Sequence, residues 1–491
     1  MLTYADQTAS GRSLRYIEDY LVKEVLPFYG NTHTEDSHVG SKTTRLVHKA
    51  ARYVKRCMGA GPDDVLIFCG SGTTAAIKRL PEVIGVAAPS VELRGRLSTQ
   101  LRTEERWVVF VGPYEHHSNL LSWRQSLAEL VEIGVDSDGL IDIAALRRTL
   151  NSPEYKNRPM LGSFSACSNV TGIMSDTREI ARVLHQHGAY ACFDFAARMR
   201  KEDTIYYDDI EEREDAGTPS IVQKIRTSYI GYDRMGLHER VYSETAMKRL
   251  VSNPNIWVLG NTSVERLPIF SFLIYPPLKD SLYNVTDQPS SERWLEDVRR
   301  KRQPLHGRFV TRLFNDLFGI QARGGCACAG PYGHTLLKIE NDLSLRLRCA
   351  ILQGYSGLKP GWTRLSFSYY LSKEEFKFIL SAIEFIASYG HRFLPLYKFD
   401  WITGNWTFKK EAIKYLLMKE ELALGTSLDT LTKNVMFKDE AKIEKKPTAI
   451  QNKFESYLES AKIIALSLPD IKQPTVSVPK ELDPDLVLFY I

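Results

Sequence analysis

Leu161-Gly162-Ser163-Phe164-Ser165 and Ala191-Cys192-Phe193-Asp194 are two short apolar runs, and between them Ile180, Val183, Leu184 and His187 recur at i, i+3, i+4 and i+7. A strand, an amphipathic helix and a second strand in this order predict a crossover unit, whose two strands lie parallel in one sheet. Towards the amino terminus, Asp64-Val65-Leu66-Ile67-Phe68 and Trp107-Val108-Val109-Phe110-Val111 repeat the strand pattern. The alternation predicts an α/β domain on a mainly parallel sheet, where ligands sit beyond the carboxyl ends of the strands. From about Ile256 strands become fewer. Helical patterns over Arg308 to Leu317 and Lys373 to Ser388 flank Thr363-Arg364-Leu365-Ser366-Phe367, which predicts a smaller α+β domain. Beyond Phe399 the chain turns Lys-rich and ends in a Pro-spaced tail, Pro469 to Pro484, the composition of peripheral helices and a flexible terminus. The expected divisions are a large domain over 1–250, a small domain over 251–400 and a helical or flexible extension over 401–491.

With 491 residues, 43% of them hydrophobic, the chain is long enough for two or more cores. Its 64 basic and 59 acidic side chains nearly cancel, which leaves no general footprint for nucleic acid or a membrane surface. No apolar run approaches the roughly 20 residues of a spanning helix, and Met1-Leu2-Thr3-Tyr4 is no secretory signal. Seven scattered cysteines fit a reducing compartment better than a disulfide framework. The expected location is cytoplasmic, or an organelle if a targeting segment has been lost ahead of Met1. His33 and His38 stand five apart with no helical pattern to bring them to one face, so no metal site is assigned there.

Polar motifs follow the predicted strands. Cys69-Gly70-Ser71-Gly72-Thr73-Thr74 leads into a helix, so it reads either as a phosphate cradle at a helix amino terminus or as a Gly-Ser turn capped by Thr73. Glu115-His116-His117-Ser118-Asn119 follows the next strand, Ser168-Asn169-Val170-Thr171-Gly172 a later one, and Asp194 closes another. A ring that stacks, an amide that hydrogen-bonds a phenolic oxygen and a carboxylate that keeps a ring nitrogen protonated are what a phosphorylated pyridine needs.

In these motifs the sequence resembles the class V aminotransferase and cysteine desulfurase-like family of pyridoxal-phosphate enzymes, from about Tyr4 to Tyr389. The resemblance implies fold type I, with Thr73 and Thr74 at the phosphate, His116 stacked on the ring, Asn169 at the ring oxygen and Asp194 at the ring nitrogen. Asp215-Ala216-Gly217-Thr218-Pro219 matches the segment whose Thr reaches the phosphate across a dimer interface, so Thr218 and a homodimer are implied too. Arg323-Gly324-Gly325-Cys326-Ala327-Cys328 resembles the loop of a sulfur-accepting thiol, with Cys328 at its place; taken alone, Cys328 also reads as an inert buried thiol. Arg364 resembles the arginine that clamps an amino-acid substrate's carboxylate, and Arg323 is a second candidate. Desulfuration is the implied chemistry, with transamination or another lyase reaction as the alternative.

One part of the family pattern is absent from the sequence. The lysine that links covalently to pyridoxal phosphate stands in a Ser-x-His-Lys turn after the strand-end Asp, yet Asp194-Phe195-Ala196-Ala197 runs directly into Arg198-Met199-Arg200-Lys201. Eleven of the 17 residues from Arg198 to Glu214 are charged, which is surface composition and not that of a strand and turn. Lys201 follows Asp194 too closely, and Lys224 lies on a predicted helix beyond the Gly-Thr-Pro segment. Position 197, where the desulfurase pattern has Gln, is Ala. The expectation is a large domain internally deleted near 197–198, with open apolar edges and impaired activity. A spliced or incomplete product of an active enzyme accounts for this, and an inactive dimerising or binding pseudoenzyme of the same fold is the alternative.

Overall fold

The computed structural model describes residues 2–197, 232–277, 303–412, 447–468 and 476–490. It divides into two compact units: Met1–Asp6 with Asn169–Gly172 and Tyr242–Ile491, and Gln7–Ser168 with Ile173–Val241. The expected internal junction at 197–198, Lys201, Thr218 and Lys224 lie at the margin of the described residues or outside them.

In the unit that contains Gln7–Ser168, a four-stranded sheet runs in the order Glu129–Glu132, Val108–Val111, Met160–Ser165, Tyr190–Asp194, parallel throughout. Every residue of Val108–Val111 is buried, as expected of a strand covered on both faces. The helix Thr177–Gln186 starts at Asp176, whose carboxylate accepts the Glu179 N–H at 3.0 Å, and it buries Ile180, Val183 and Leu184 completely. Gly162 permits that packing, since a Cβ there would lie 2.4 Å from Leu184 Cδ1. One expectation is corrected. Asp64 to Phe68 forms no strand, and Val65, Ile67 and Phe68 are 80%, 67% and 65% exposed. The run has strand composition, but a strand also needs a neighbour for its backbone groups, and no described strand pairs with it.

The other unit holds an antiparallel sheet in the order Ile256–Val258, Ile269–Ile274, Trp362–Ser366, Arg323–Gly325. Thr3–Tyr4 pairs in parallel with Ile320–Gln321. Two amphipathic helices supply its core. Gly307–Phe318 buries Phe309, Val310, Leu313, Phe314 and Phe318; Lys373–Tyr389 buries Phe376, Ile379, Ile383 and Ile386 and opens with a Ser372–Glu375 capping box.

The carboxyl-terminal stretch departs from the expected flexible terminus over its described part. Phe454, on the helix Pro447–Ser467, stacks on Phe378 with ring centroids 4.2 Å apart, and Leu482, Leu486, Val487 and Phe489 are buried in the same core. Tyr490 donates its N–H to Pro304 O at 2.8 Å, and the Phe489 ring lies 4.4 Å from that of His306. Pro spacing and charge hid this because the apolar residues there pack singly and not at a helical period. Phe489→Ala is expected to destabilise this unit by about 3–5 kcal/mol. Urea unfolding measures this, and a cost under about 0.5 kcal/mol, the size of a surface substitution, would contradict the packing.

Candidate active site

Two clusters of polar side chains carry the candidate residues, one in each unit. The first lies at the carboxyl ends of the parallel strands. Gly70 and Gly72 adopt φ of +53° and +67°, and the helix Gly72–Val83 begins at Ser71, whose side chain makes no cap bond. Thr73 is therefore not the capping residue; it and Thr74 occupy the first turn, beside backbone N–H groups that no side chain of Ser71 satisfies. Thr74 Oγ1 lies 2.6 Å from Ser118 Oγ, which in turn lies 3.0 Å from His116 Nδ1. His116 caps the helix His117–Arg124, its Nδ1 accepting the Ser118 N–H at 3.1 Å. That bond assigns the proton of the neutral ring to Nε2. Asp194 ends its strand opposite Ser165, and its Oδ1 accepts the Ala196 N–H at 2.9 Å. Burial raises the Asp194 carboxyl above its ordinary range, while the Ala196 N–H and nearby His116 pull it down.

Beneath these residues is a group that the sequence did not single out. Glu115 is 3% exposed and accepts from four donors: Gly112 N at 3.2 Å, Ser165 N at 2.9 Å, Ser165 Oγ at 2.7 Å and Asn119 Nδ2 at 2.6 Å. Asn119 donates also to Ser163 O, and its Oδ1 accepts from Trp123 Nε1 at 2.9 Å. Burial pushes the Glu115 carboxyl up to about 7 against the pull of Asn119 and Ser165, and the charge of Asp194 adds to the rise. The signal for this node was the i, i+4, i+8 spacing of Glu115, Asn119 and Trp123, which places all three on one side of the helix and its approach.

The second cluster lies in the antiparallel unit. Arg364, in the middle of Trp362–Ser366 and opposite Arg323, is 2% exposed. Its Nη1 donates to Asn169 O at 3.0 Å and its Nη2 to Asp6 Oδ1 at 2.8 Å, while Nε is buried with no partner among the described residues. Burial lowers the guanidinium's pKa, and Asp6 opposes the shift. Asn169 Nδ2 donates to Ala327 O at 2.9 Å, and its Oδ1 is buried and unpartnered among the described residues. Ala327 and Cys328 both take left-handed φ, +51° and +56°, an arrangement that costs non-glycine residues about 1–2 kcal/mol each. Arg323 Nη2 stands 3.9 Å from Cys328 Sγ. Thr74, His116 and Asp194 thus gather in one unit; Asn169, Arg323, Cys328 and Arg364 gather in the other. Thr218 lies outside the described residues.

The α/β architecture on a parallel sheet is consistent with fold type I. Residues 3–205 match the family described as aminotransferase class-V. The chain is similar to a probable cysteine desulfurase of Halalkalibacterium halodurans, 26% identical over 203 residues that make up 40% of this chain and 44% of that one. A probable cysteine desulfurase of Streptomyces coelicolor is 21% identical over 328 residues, 54% of this chain and 75% of that one. The chain therefore spans less than half the length of the first relative. The fold matches the apo structure of a cysteine desulfurase from Thermococcus onnurineus with a TM-score of 0.53 at 18% identity, over 79% of this chain and 94% of that one. Among the described residues no helix is long and apolar enough to cross a membrane.

The Glu115 node sets a pH dependence. The folded protein holds the Glu115 proton more tightly than the unfolded chain, whose carboxyl has the ordinary value of 4.5, so stability from this group falls as pH rises from 4.5 through about 7. Above that window the contribution is constant. Relative to Glu115→Gln, the wild type is expected to lose about 3 kcal/mol of unfolding free energy across the window. Urea titrations at successive pH values read the difference, and parallel pH profiles for the two proteins would contradict it.

Proposed function

We propose that the protein binds pyridoxal phosphate and an amino acid in the manner of a cysteine desulfurase, with covalent attachment of the cofactor and turnover impaired by the absent Ser-x-His-Lys turn. The observation that carries this reading is the hydrogen-bonded series Thr74, Ser118 and His116 beside Asp194 at one edge of the parallel sheet. The residues present fit the cofactor's parts. A half-buried carboxylate such as Asp194 calls for a cationic partner, which a protonated ring nitrogen supplies. The uncapped turn at Ser71, with the hydroxyls of Thr73 and Thr74, suits a dianionic phosphate.

Each side chain then has a defined task. Thr73 and Thr74 bind phosphate oxygens, Asp194 keeps a proton on the ring nitrogen, and His116 presents a flat ring whose Nε2 holds a proton. When bound, pyridoxal phosphate supplies an electron-withdrawing ring. Asn169 takes the ring oxygen, Arg364 binds the substrate carboxylate, with Arg323 as its neighbour, and Cys328 is the thiol that accepts sulfur. A homodimer is part of the same reading, with Thr218 reaching the partner's phosphate. It is supported by the exposure of Tyr16, Ile17, Leu26 and Tyr29, at 70%, 41%, 61% and 68%, on a segment where the helix Arg15–Tyr20 buries no residue. The second reading, an inactive binding pseudoenzyme, is favoured by one observation: no Ser-x-His-Lys turn lies between Asp194 and Thr218.

Borohydride reduction of the full-length protein saturated with pyridoxal phosphate, followed by peptide mapping, tests the covalent part. The expected result is no cofactor-labelled lysine, together with sulfide release from L-cysteine at least about 100-fold below that of an intact desulfurase, a loss of about 3 kcal/mol in the barrier. Label on Lys201 or Lys224, with sulfide release that Cys328→Ala abolishes, would contradict the impairment. Sulfide release that stays at zero in wild type and Cys328→Ala alike selects the pseudoenzyme.

A further inference from the structure

We propose that Asp6 is an internal stand-in for the substrate carboxylate, holding the Arg364 guanidinium when no ligand is bound and giving way to an incoming amino acid. The inference rests on the reading of Arg364 as a carboxylate site and adds a specificity-determining residue to it.

The backbone around Asp6 is pinned on both sides. Thr3–Tyr4 pairs with Ile320–Gln321, and Ala5, wholly buried, donates its N–H to Gln321 O at 2.9 Å while its carbonyl accepts the Ser366 N–H at 2.8 Å. Tyr4 Oη donates to the Asp6 carbonyl at 3.2 Å. The next residue along therefore has little choice of position, and its carboxylate meets Arg364 across 358 residues of sequence.

Arg364 needs that carboxylate. A guanidinium 2% exposed has almost no water to stabilise it, and its register neighbour Arg323 is a like charge. Asp6 supplies the opposite charge but leaves the fork unsaturated. Arginine presents its Nε and Nη2 donors along one edge that suits both oxygens of a carboxylate. Here Nη2 is engaged by Asp6 and Nε has no partner among the described residues. The Asp6 side chain is also the more exposed of the pair, 17% against 2%. A ligand carboxylate taking both donors displaces a contact of one and satisfies the orphan Nε–H. Its apparent affinity is reduced by the fraction of time that Asp6 holds the site.

Calorimetric titration of the full-length protein with L-alanine tests this in wild type, Asp6→Asn, Asp6→Glu and Arg364→Ala. Asp6→Asn is expected to bind L-alanine about tenfold tighter than wild type or better, and saturating L-alanine is expected to raise its melting temperature more than that of wild type, because the ligand then replaces the missing charge. Asp6→Glu, which keeps a carboxylate, restores wild-type affinity, and Arg364→Ala abolishes binding. Unchanged or weaker binding by Asp6→Asn, or equal melting shifts, with binding still lost in Arg364→Ala, overturns the role of Asp6 and leaves the Arg364 site standing. Binding that survives Arg364→Ala, or binding by none of the proteins, overturns the carboxylate site and the proposal with it.

Discussion

Four parallel strands carry their carboxyl ends to one edge, and a buried carboxylate ties that edge together. Glu115 leaves the loop after Val108–Val111, takes both the backbone N–H and the hydroxyl of Ser165, and takes the side-chain amide of Asn119 on the following helix. Three elements are thereby held at the point where His116 caps its helix and Asp194 ends the neighbouring strand. A carboxylate in that position is costly to desolvate, and its four donors repay part of the cost only while all remain in place. The node therefore couples the fold of this unit to the placement of the candidate side chains His116 and Asp194.

The antiparallel unit uses a buried cation for the same purpose. Arg364 draws together Asn169 through its carbonyl and Asp6 through its carboxylate, and Asn169 in turn holds Ala327 beside the left-handed Cys328. A guanidinium withdrawn from water is stabilised only by such partners, so the segments that carry them are recruited from distant parts of the chain. Backbone strain at Ala327 and Cys328 is tolerated because the surrounding bonds fix the turn.

Much of the architecture was legible in the sequence because burial on both faces writes itself as continuous apolar runs. Val108 to Val111, Leu161 to Ser165 and Ala191 to Asp194 are strands within a residue or so of where their composition places them. Glu129–Glu132 escaped because charged residues bracket only two apolar ones on an edge strand. The run Val65 to Phe68 misled for the opposite reason: its composition specifies a wish for burial but not the neighbour that would provide it. Individual candidate residues stood out where a motif follows a strand. Asp6 did not, since its role depends on a partner 358 residues away and nothing local distinguishes it from a surface acid; Glu115 left only the spacing it shares with Asn119 and Trp123, while its bond to Ser165 crosses 50 residues. The missing lysine turn, by contrast, is a property of the sequence alone.

The central claim is that the Thr74, His116 and Asp194 cluster holds pyridoxal phosphate through its phosphate and ring nitrogen without a lysine to anchor it. Phosphorus NMR of the full-length protein titrated with pyridoxal phosphate addresses it most directly. A bound phosphate resonance distinct from the free one, lost in Thr74→Val and in Asp194→Ala, is the predicted result. A single free resonance at every protein concentration, or a bound resonance indifferent to both substitutions, would contradict the account.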